Sequence, residues 1–468
     1  MRICRWIVLG LVFAFPLSAA ELHVTPEGKP DAAGTKEAPL DLVTTLTKPG
    51  AAKAGDTVWV HAGTYKIGTV KQDAGVCGTK DQPLVFRAAL GERATIEGGI
   101  EIFGDYTSMW GLEITGSAGS AIETRKGDGL RFINLVLHDN GTPLKEGEKK
   151  HPTGMGIGAW DVGNDHEMYG NIIYRNGCNS LDHGIYSQNT AKHTAKKYLD
   201  NIMFENAGSN IQIYGQNPIL SGFDVEGNIC YAASLHPKFT IQGQMSIIVG
   251  GTNPISNVVL KNNCTYHPKP DSKRGMDVGY TAKGNRNIVV EDNYFTGGLN
   301  AMEIKGAVGD LTVRNNTFWA PAGMVKITWG ENPDKAKVQW DGNTYLANGK
   351  FDLEAWRKET GFDKESKLVE GKDGRPTGLF VFKRVNKYEP ERVHFAVYNW
   401  DQKPEVEIDV AGLAAPGSKY RIVNALDWFG EPVAKGEVAG KTIALPMKGH
   451  TYEPEFGAYV LFREVPKN

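Results

Sequence analysis

From about residue 100 the chain repeats one phrase: a short alternation of apolar and polar positions, an asparagine, then another apolar or aromatic run. The phrases read LRFINLVL, HEMYGNIIY, YLDNIMF, FDVEGNICY, VVLKNNCTY, IVVEDNYF, LTVRNNTF and VQWDGNTY. Their asparagines are Asn134, Asn171, Asn201, Asn228, Asn263, Asn293, Asn316 and Asn343. Period-two runs are strands, and their recurrence in one direction marks a solenoid.

A strand this short buries its inward side chains only when the next coil stacks on it, which predicts an all-β right-handed parallel β-helix. Asparagine tolerates left-handed backbone geometry at the turn, and its amide can bond to the same amide one rung away. Irregular gaps between the phrases fit coils whose loops vary on one edge. A β-sandwich built of hairpins is the alternative, but few Asn-Gly turns are present. The reading divides the chain into a signal peptide (1–20), the β-helix (21–350), a capping helix and linker (351–375) and a C-terminal β-sandwich (376–468). A short helix around Leu42 to Leu46 is expected at the entrance. At the exit, Leu353 and Trp356 lie one helical turn apart between an Asp352 N-cap and a Gly361 C-cap.

A second strand follows each asparagine turn. Aligned, these strands put Ile122, Ile157, Ile185, Ile211, Ile247, Met276, Met302 and Val325 inward, an apolar column at every rung. The outward column is then Glu123, Gly158, Tyr186, Gln212, Ile248, Asp277, Glu303 and Lys326, with Arg125, Trp160, Gln188, Tyr214, Gly250, Gly279, Lys305 and Thr328 two residues on. On this register Tyr186, Gln212, Asp277, Glu303 and Lys326 form one solvent-lining file. Asp182 shares the face of Tyr186 and Gln188, whereas His183 has the opposite parity and is expected inward, as a structural group.

Two clusters on this face carry candidate chemistry. Sugars bind by stacking on rings and bonding to amides, which selects Trp160, Asp182, Gln188, Gln212 and Tyr214 as substrate-binding candidates around Tyr186. Asp277 and Glu303 stand side by side on neighbouring rungs, with Lys305 and Lys326 close by. They can hold calcium, divide acid and nucleophile roles, or simply be neutralised by the lysines. The catalytic candidates are Tyr186, Asp277, Glu303 and Lys305, with Lys326 set to meet a substrate carboxylate. His138-Asp139-Asn140 and Asn164-Asp165-His166 read as polar turns, and KEGEKK (145–150) as a solvated loop.

Composition narrows the class. The first twenty residues pair Arg2 and Arg5 with an apolar run ending in Ser18-Ala19-Ala20, a secretory signal with cleavage expected after Ala20 and a secreted or periplasmic product. No later segment is long and apolar enough to span a membrane. A formal charge of −2 without a basic stripe argues against a nucleic-acid partner. Cys77, Cys178, Cys230 and Cys264 are too sparse for a disulfide-built fold and match no zinc spacing. A monomer acting on an acidic or neutral polysaccharide is expected.

The opening HVTPEGKPDAAGTKEAPLDLV…GDTVWVHAGTY, the strand HGIYSQN (183–189), NIQIYG (210–215) one coil later, and YNW…YRIVNALDWFGEPV (398–433) together resemble secreted bacterial members of the pectate-lyase-like β-helix superfamily. That resemblance implies a carbohydrate-active protein. The superfamily holds uronate lyases, mannuronan C-5-epimerases, polygalacturonase-type hydrolases and non-catalytic adhesins. The paired-Asp and Gly-His-Gly signatures of polygalacturonases and the Asp-Pro-His-Asp motif of the epimerases are missing. A polysaccharide lyase using β-elimination on a uronate glycan leads, with a hydrolase using the Asp277–Glu303 pair and a glycan-binding surface protein as alternatives.

Overall fold

The computed structural model describes residues 19–143, 154–239, 245–268, 274–280 and 283–463. Residues 1–18 of the expected signal peptide and the KEGEKK run lie outside them. Within the described residues the strands stack in register as three parallel ladders. The first runs from Glu21–Val24 to Val338–Asp341 and precedes each asparagine turn. The second follows the turn, from the start of Gly63–Lys71 to Lys367–Val369, inside the stretch read from sequence as helix and linker. The third ends at Val325–Trp329 and is the second-strand column of the sequence reading. Its register pairs Ile122, Ile157, Ile185, Ile211, Ile247, Met276, Met302 and Val325 rung by rung, as expected.

The turns work differently from the expected scheme. Asn171, Asn201, Asn228, Asn263, Asn293, Asn316 and Asn343 form a buried amide ladder, each Nδ2 donating to the next Oδ1 at 2.8–3.1 Å. The left-handed residue is the one before: Gly170, Asp200, Gly227, Asn262, Asp292, Asn315 or Gly342. Division of labour explains the pairs GN, DN and NN: one residue takes positive φ and its neighbour supplies the amide. Asn134 is therefore misplaced by one position. It takes the left-handed role at φ +52°, Leu135 occupies the ladder position and donates its backbone N–H to Asn171 Oδ1, and Asn134 Oδ1 instead accepts from Asn386.

Helices Leu42–Thr47 and Leu353–Thr360 form as expected, the second with its Asp352 N-cap and with Gly361 closing it at φ +77°, while Asp41 caps the first. Beyond them a five-stranded antiparallel sheet and a two-stranded one make the C-terminal β-sandwich. It lies flat along the second ladder. Tyr174, Phe204, Tyr231, Tyr266 and Tyr294 on the solenoid meet Tyr398, Trp400, Tyr452 and Phe456 on the sandwich in one buried cluster. Trp400 Nε1 donates to the Tyr294 hydroxyl at 3.0 Å, and Arg384 pairs with Asp200 at 2.6 Å. The cluster with the sandwich covers the second ladder and includes no residue of the third.

Candidate functional site

Tyr186 and Trp160 project from neighbouring rungs of the third ladder with ring centroids 5.4 Å apart. Gly158 stands between Glu123 and Tyr186 in the outward column, and a Cβ there would press on Glu123 and the Trp160 indole. Its hydrogen lets Trp160 Nε1 reach Glu123 Oε2 at 3.3 Å, the same oxygen that pairs with Arg125. The Tyr186 hydroxyl donates to the Tyr214 carbonyl at 3.0 Å and accepts from Gln188 Nε2 at 2.9 Å. These groups, with His183 and Gln212, line a cavity of about 430 Å³. Burial pushes the Tyr186 phenol upward, so it keeps its proton.

His183 is buried, as the parity argument expected, yet its ring faces Tyr186 at 6.0 Å and lines the same cavity. The strand begins only at Ile185, so alternation does not govern residue 183. Its Nδ1 accepts the Ser209 backbone N–H at 3.0 Å, which places the ring proton on Nε2. Burial lowers its pKa to about 3, so the ring is neutral.

Asp182 is a correction for the same reason. It is buried, not part of the outer face. Its carboxylate accepts from the Gly154 and Cys178 backbone amides at 2.8 and 3.0 Å and from Asn179 Nδ2 at 3.0 Å, organising the loop.

The second cluster also differs from the expected solvent-lining file. Asp277 and Glu303 are register partners, as aligned, but their residues are 0% and 3% exposed. Lys305 Nζ lies 3.1 Å from Asp277 and 4.0 Å from Glu303, and Lys326 Nζ lies 3.6 Å from Glu303. The lysines neutralise the carboxylates and themselves reach the surface, Lys326 more than Lys305. Burial removes both carboxylates from the nucleophile or acid role, because neither can touch a sugar. Calcium fits poorly too: it takes six to eight oxygens, whereas an ammonium already lies against both acids. Among the described residues no group of three or more His, Cys, Asp and Glu can hold a metal.

Tyr280 joins the two clusters and was not singled out from sequence. Gly279, at φ +76°, ends the strand's alternation, and Tyr280 packs edge-on against Tyr214 at 5.4 Å. Gly250 leaves room for its backbone, since a Cβ there would lie 2.5 Å from Tyr280 N. The ring is 41% exposed, and its hydroxyl makes no hydrogen bond among the described residues. The Gly-Tyr step directly after a strand was the available signal. Trp160, Tyr186, Tyr214, Tyr280, Lys305 and Lys326 thus follow one another along one face.

The remaining polar turns are structural. His138 donates to Glu113 and Asp139 at 3.0 Å each, and Asn140 bonds Asn176 in a second amide column. His166 is buried, with Nε2 2.7 Å from the Gly127 carbonyl. Among the described residues no disulfide joins the cysteines.

No family model matches the chain. A pectate lyase of Emericella nidulans is 37% identical over 94 residues, 20% of this chain and 22% of that protein's length. The chain folds as a parallel β-helix, and over those 94 residues it resembles that pectate lyase. Solved structures similar to this β-helix include an alginate lyase from Paenibacillus sp. str. FPU-7, at 18% identity and TM-score 0.43 over 68% of this chain and 99% of that one. XylC in complex with xylose gives 11% identity and TM-score 0.45 over 94% and 100%. A rhamnogalacturonan lyase gives 12% and 0.36 over 68% and 86%.

Proposed function

We propose that this pectate-lyase-like protein is a secreted polysaccharide lyase that cleaves a uronate-containing glycan by β-elimination along the third ladder. One observation supports the reading above the others: the run of rings from Trp160 to Tyr280 leads to two surface lysines fixed over buried acids. Rings and amides suit a sugar chain, and fixed ammonium groups suit a uronate carboxylate whose charge grows as the adjacent proton leaves. The local match to a pectate lyase agrees with it.

In this mechanism Lys305 and Lys326 bind the carboxylate and stabilise the enolate. Lys305 is not the base, because the group its acids hold is an ammonium with no lone pair to offer. Tyr186 is not the base either, its hydroxyl being committed to Tyr214 and Gln188. Tyr280, which must first give up its hydroxyl proton to solvent to act as a base, takes the proton beside the carboxylate. The electron pair forms the ring double bond, the glycosidic C–O bond breaks, and the phenol returns its proton to the leaving oxygen. Trp160, Tyr186, Gln188, Gln212 and Tyr214 hold the neighbouring sugars, and His183 Nε2 offers a donor. No step uses a metal.

The test is turnover of pectate, alginate and other uronans, with and without chelator, followed by ultraviolet absorbance of the conjugated product. Chelator-resistant absorbance is expected. Saturated products alone would transfer the protein to the hydrolases, and binding without turnover to the glycan-binding proteins.

A further inference from the structure

A second cavity, about 370 Å³, lies where the sandwich meets the first coils, and none of its lining belongs to the third ladder. Its size falls in the range of small-ligand sites. Trp110, Trp428 and Phe429 give it ring walls, and Arg392 and Arg421 line it from the sandwich.

The charges there do not cancel. Each carboxylate in the lining is already engaged: Glu92 with the Ala62 N–H, Glu113 with Arg93 and His138, and Glu389 with Trp110 Nε1 and Arg87. Among the described residues, no carboxylate pairs with Arg392 or Arg421. Arg421 lies over Phe462 at 4.0 Å. Arg392 is 4% exposed. Its Nε donates to His394 Nε2 at 2.9 Å and its Nη2 to the Gly170 carbonyl at 3.3 Å, while His394 Nδ1 donates to the Asp200 carbonyl at 2.8 Å. That chain fixes the guanidinium plane, and among the described residues Nη1 has no hydrogen bond. Burial lowers the Arg392 pKa to about 10, so the group stays charged at neutral pH. A buried charge without a counter-charge is costly, and a fixed guanidinium fork matches a carboxylate.

We propose that this junction cavity is a second carbohydrate site, taking a uronate residue of an acidic oligosaccharide with its carboxylate on Arg392 and Arg421 and its ring against the aromatic walls. The site stands whether or not the third-ladder groove is catalytic. It ties the sandwich to the function of the solenoid, since ligand would touch both.

Titration of the full chain with D-galacturonate, D-galactose and sodium sulfate tests it. Galacturonate is expected to bind about tenfold or more tightly than galactose or sulfate. Arg421→Gln and Phe429→Ala, both on the rim, should each weaken galacturonate about tenfold, whereas Lys326→Ala in the groove should leave this site unchanged. Arg392→Gln should abolish binding; if it does not fold, the rim variants decide. Absence of galacturonate binding, an unchanged affinity in both rim variants, or sulfate binding as tightly as galacturonate would overturn the proposal.

Discussion

Lys305 Nζ sits 3.1 Å from Asp277 Oδ2, joining a quarter-exposed ammonium to a carboxylate with no exposed surface. The two residues occupy neighbouring rungs, so the stacking of the coils itself fixes the pair. Replacing Asp277 by Asn removes the charge that holds Lys305 in place while keeping one acceptor. Asp277→Asn should cost about 1–3 kcal/mol in a urea titration and lower kcat at least about tenfold. Lys326 is 59% exposed and 3.6 Å from Glu303. Lys326→Ala should change stability by no more than about 0.5 kcal/mol, yet raise KM for a uronan. Unchanged kcat in Asp277→Asn would detach this cluster from the chemistry.

Tyr186 and Tyr280 separate binding from proton transfer. Tyr186→Phe keeps the ring against Trp160 and loses only a hydroxyl that bonds Tyr214 and Gln188. It should raise KM a few-fold with kcat nearly intact. Tyr280→Phe loses the exposed hydroxyl and should lower kcat about a hundredfold or more at similar KM. Steady-state kinetics on both variants decides the roles, and the reverse pattern would assign the proton to Tyr186.

The third-ladder register was legible because each inward position from Ile122 to Val325 must be apolar, and a one-residue slip would expose the whole column. The same alternation said outward for Asp277 and Glu303 but could not say exposed, because depth is set by the long side chains laid over them. Asp182 failed for a different reason: the strand starts at Ile185, so parity had no force three residues earlier. The docking of the sandwich was written in the second ladder. Ile172, Ile173 and Tyr174, like Ile202, Met203 and Phe204, are apolar on both faces, as strands covered on both sides must be. The Asn-preceding residues Gly170, Asp200 and Gly227 likewise signalled which position takes positive φ.

The amide ladder should dominate the stability of the coils. Asn228 Nδ2 donates to the Tyr198 carbonyl at 2.8 Å and to Asn263 Oδ1 at 2.9 Å, and its Oδ1 accepts two N–H groups of Asn201. Asn228→Ala strands several of these buried groups at once. A loss of about 2–5 kcal/mol is expected by urea denaturation. A cost below 1 kcal/mol would mean that water replaces the missing amide and that the ladder is not the spine of the solenoid.

Acid should unfold this protein through its buried histidines. The pKa values of His183 and His166 are lowered by burial to about 3 from 6.5, and that of His394 is pushed well down by the same cause. Between about pH 3 and 6.5 the unfolded chain therefore binds protons that the folded chain refuses, so stability is fully present above pH 6.5 and falls as pH drops. His138, raised by the carboxylates of Asp139 and Glu113, acts with the opposite sign: its contribution is complete below pH 6.5 and fades as pH rises through its folded value. His183→Gln isolates one contribution, because a glutamine oxygen can still accept the Ser209 N–H. Stability measured from pH 7 down to pH 4 should show a slope shallower in the variant by about 1.4 kcal/mol per pH unit below 6. Parallel slopes would mean that His183 takes up a proton in the folded state, and that the cavity beside Tyr186 holds an imidazolium instead of a neutral donor.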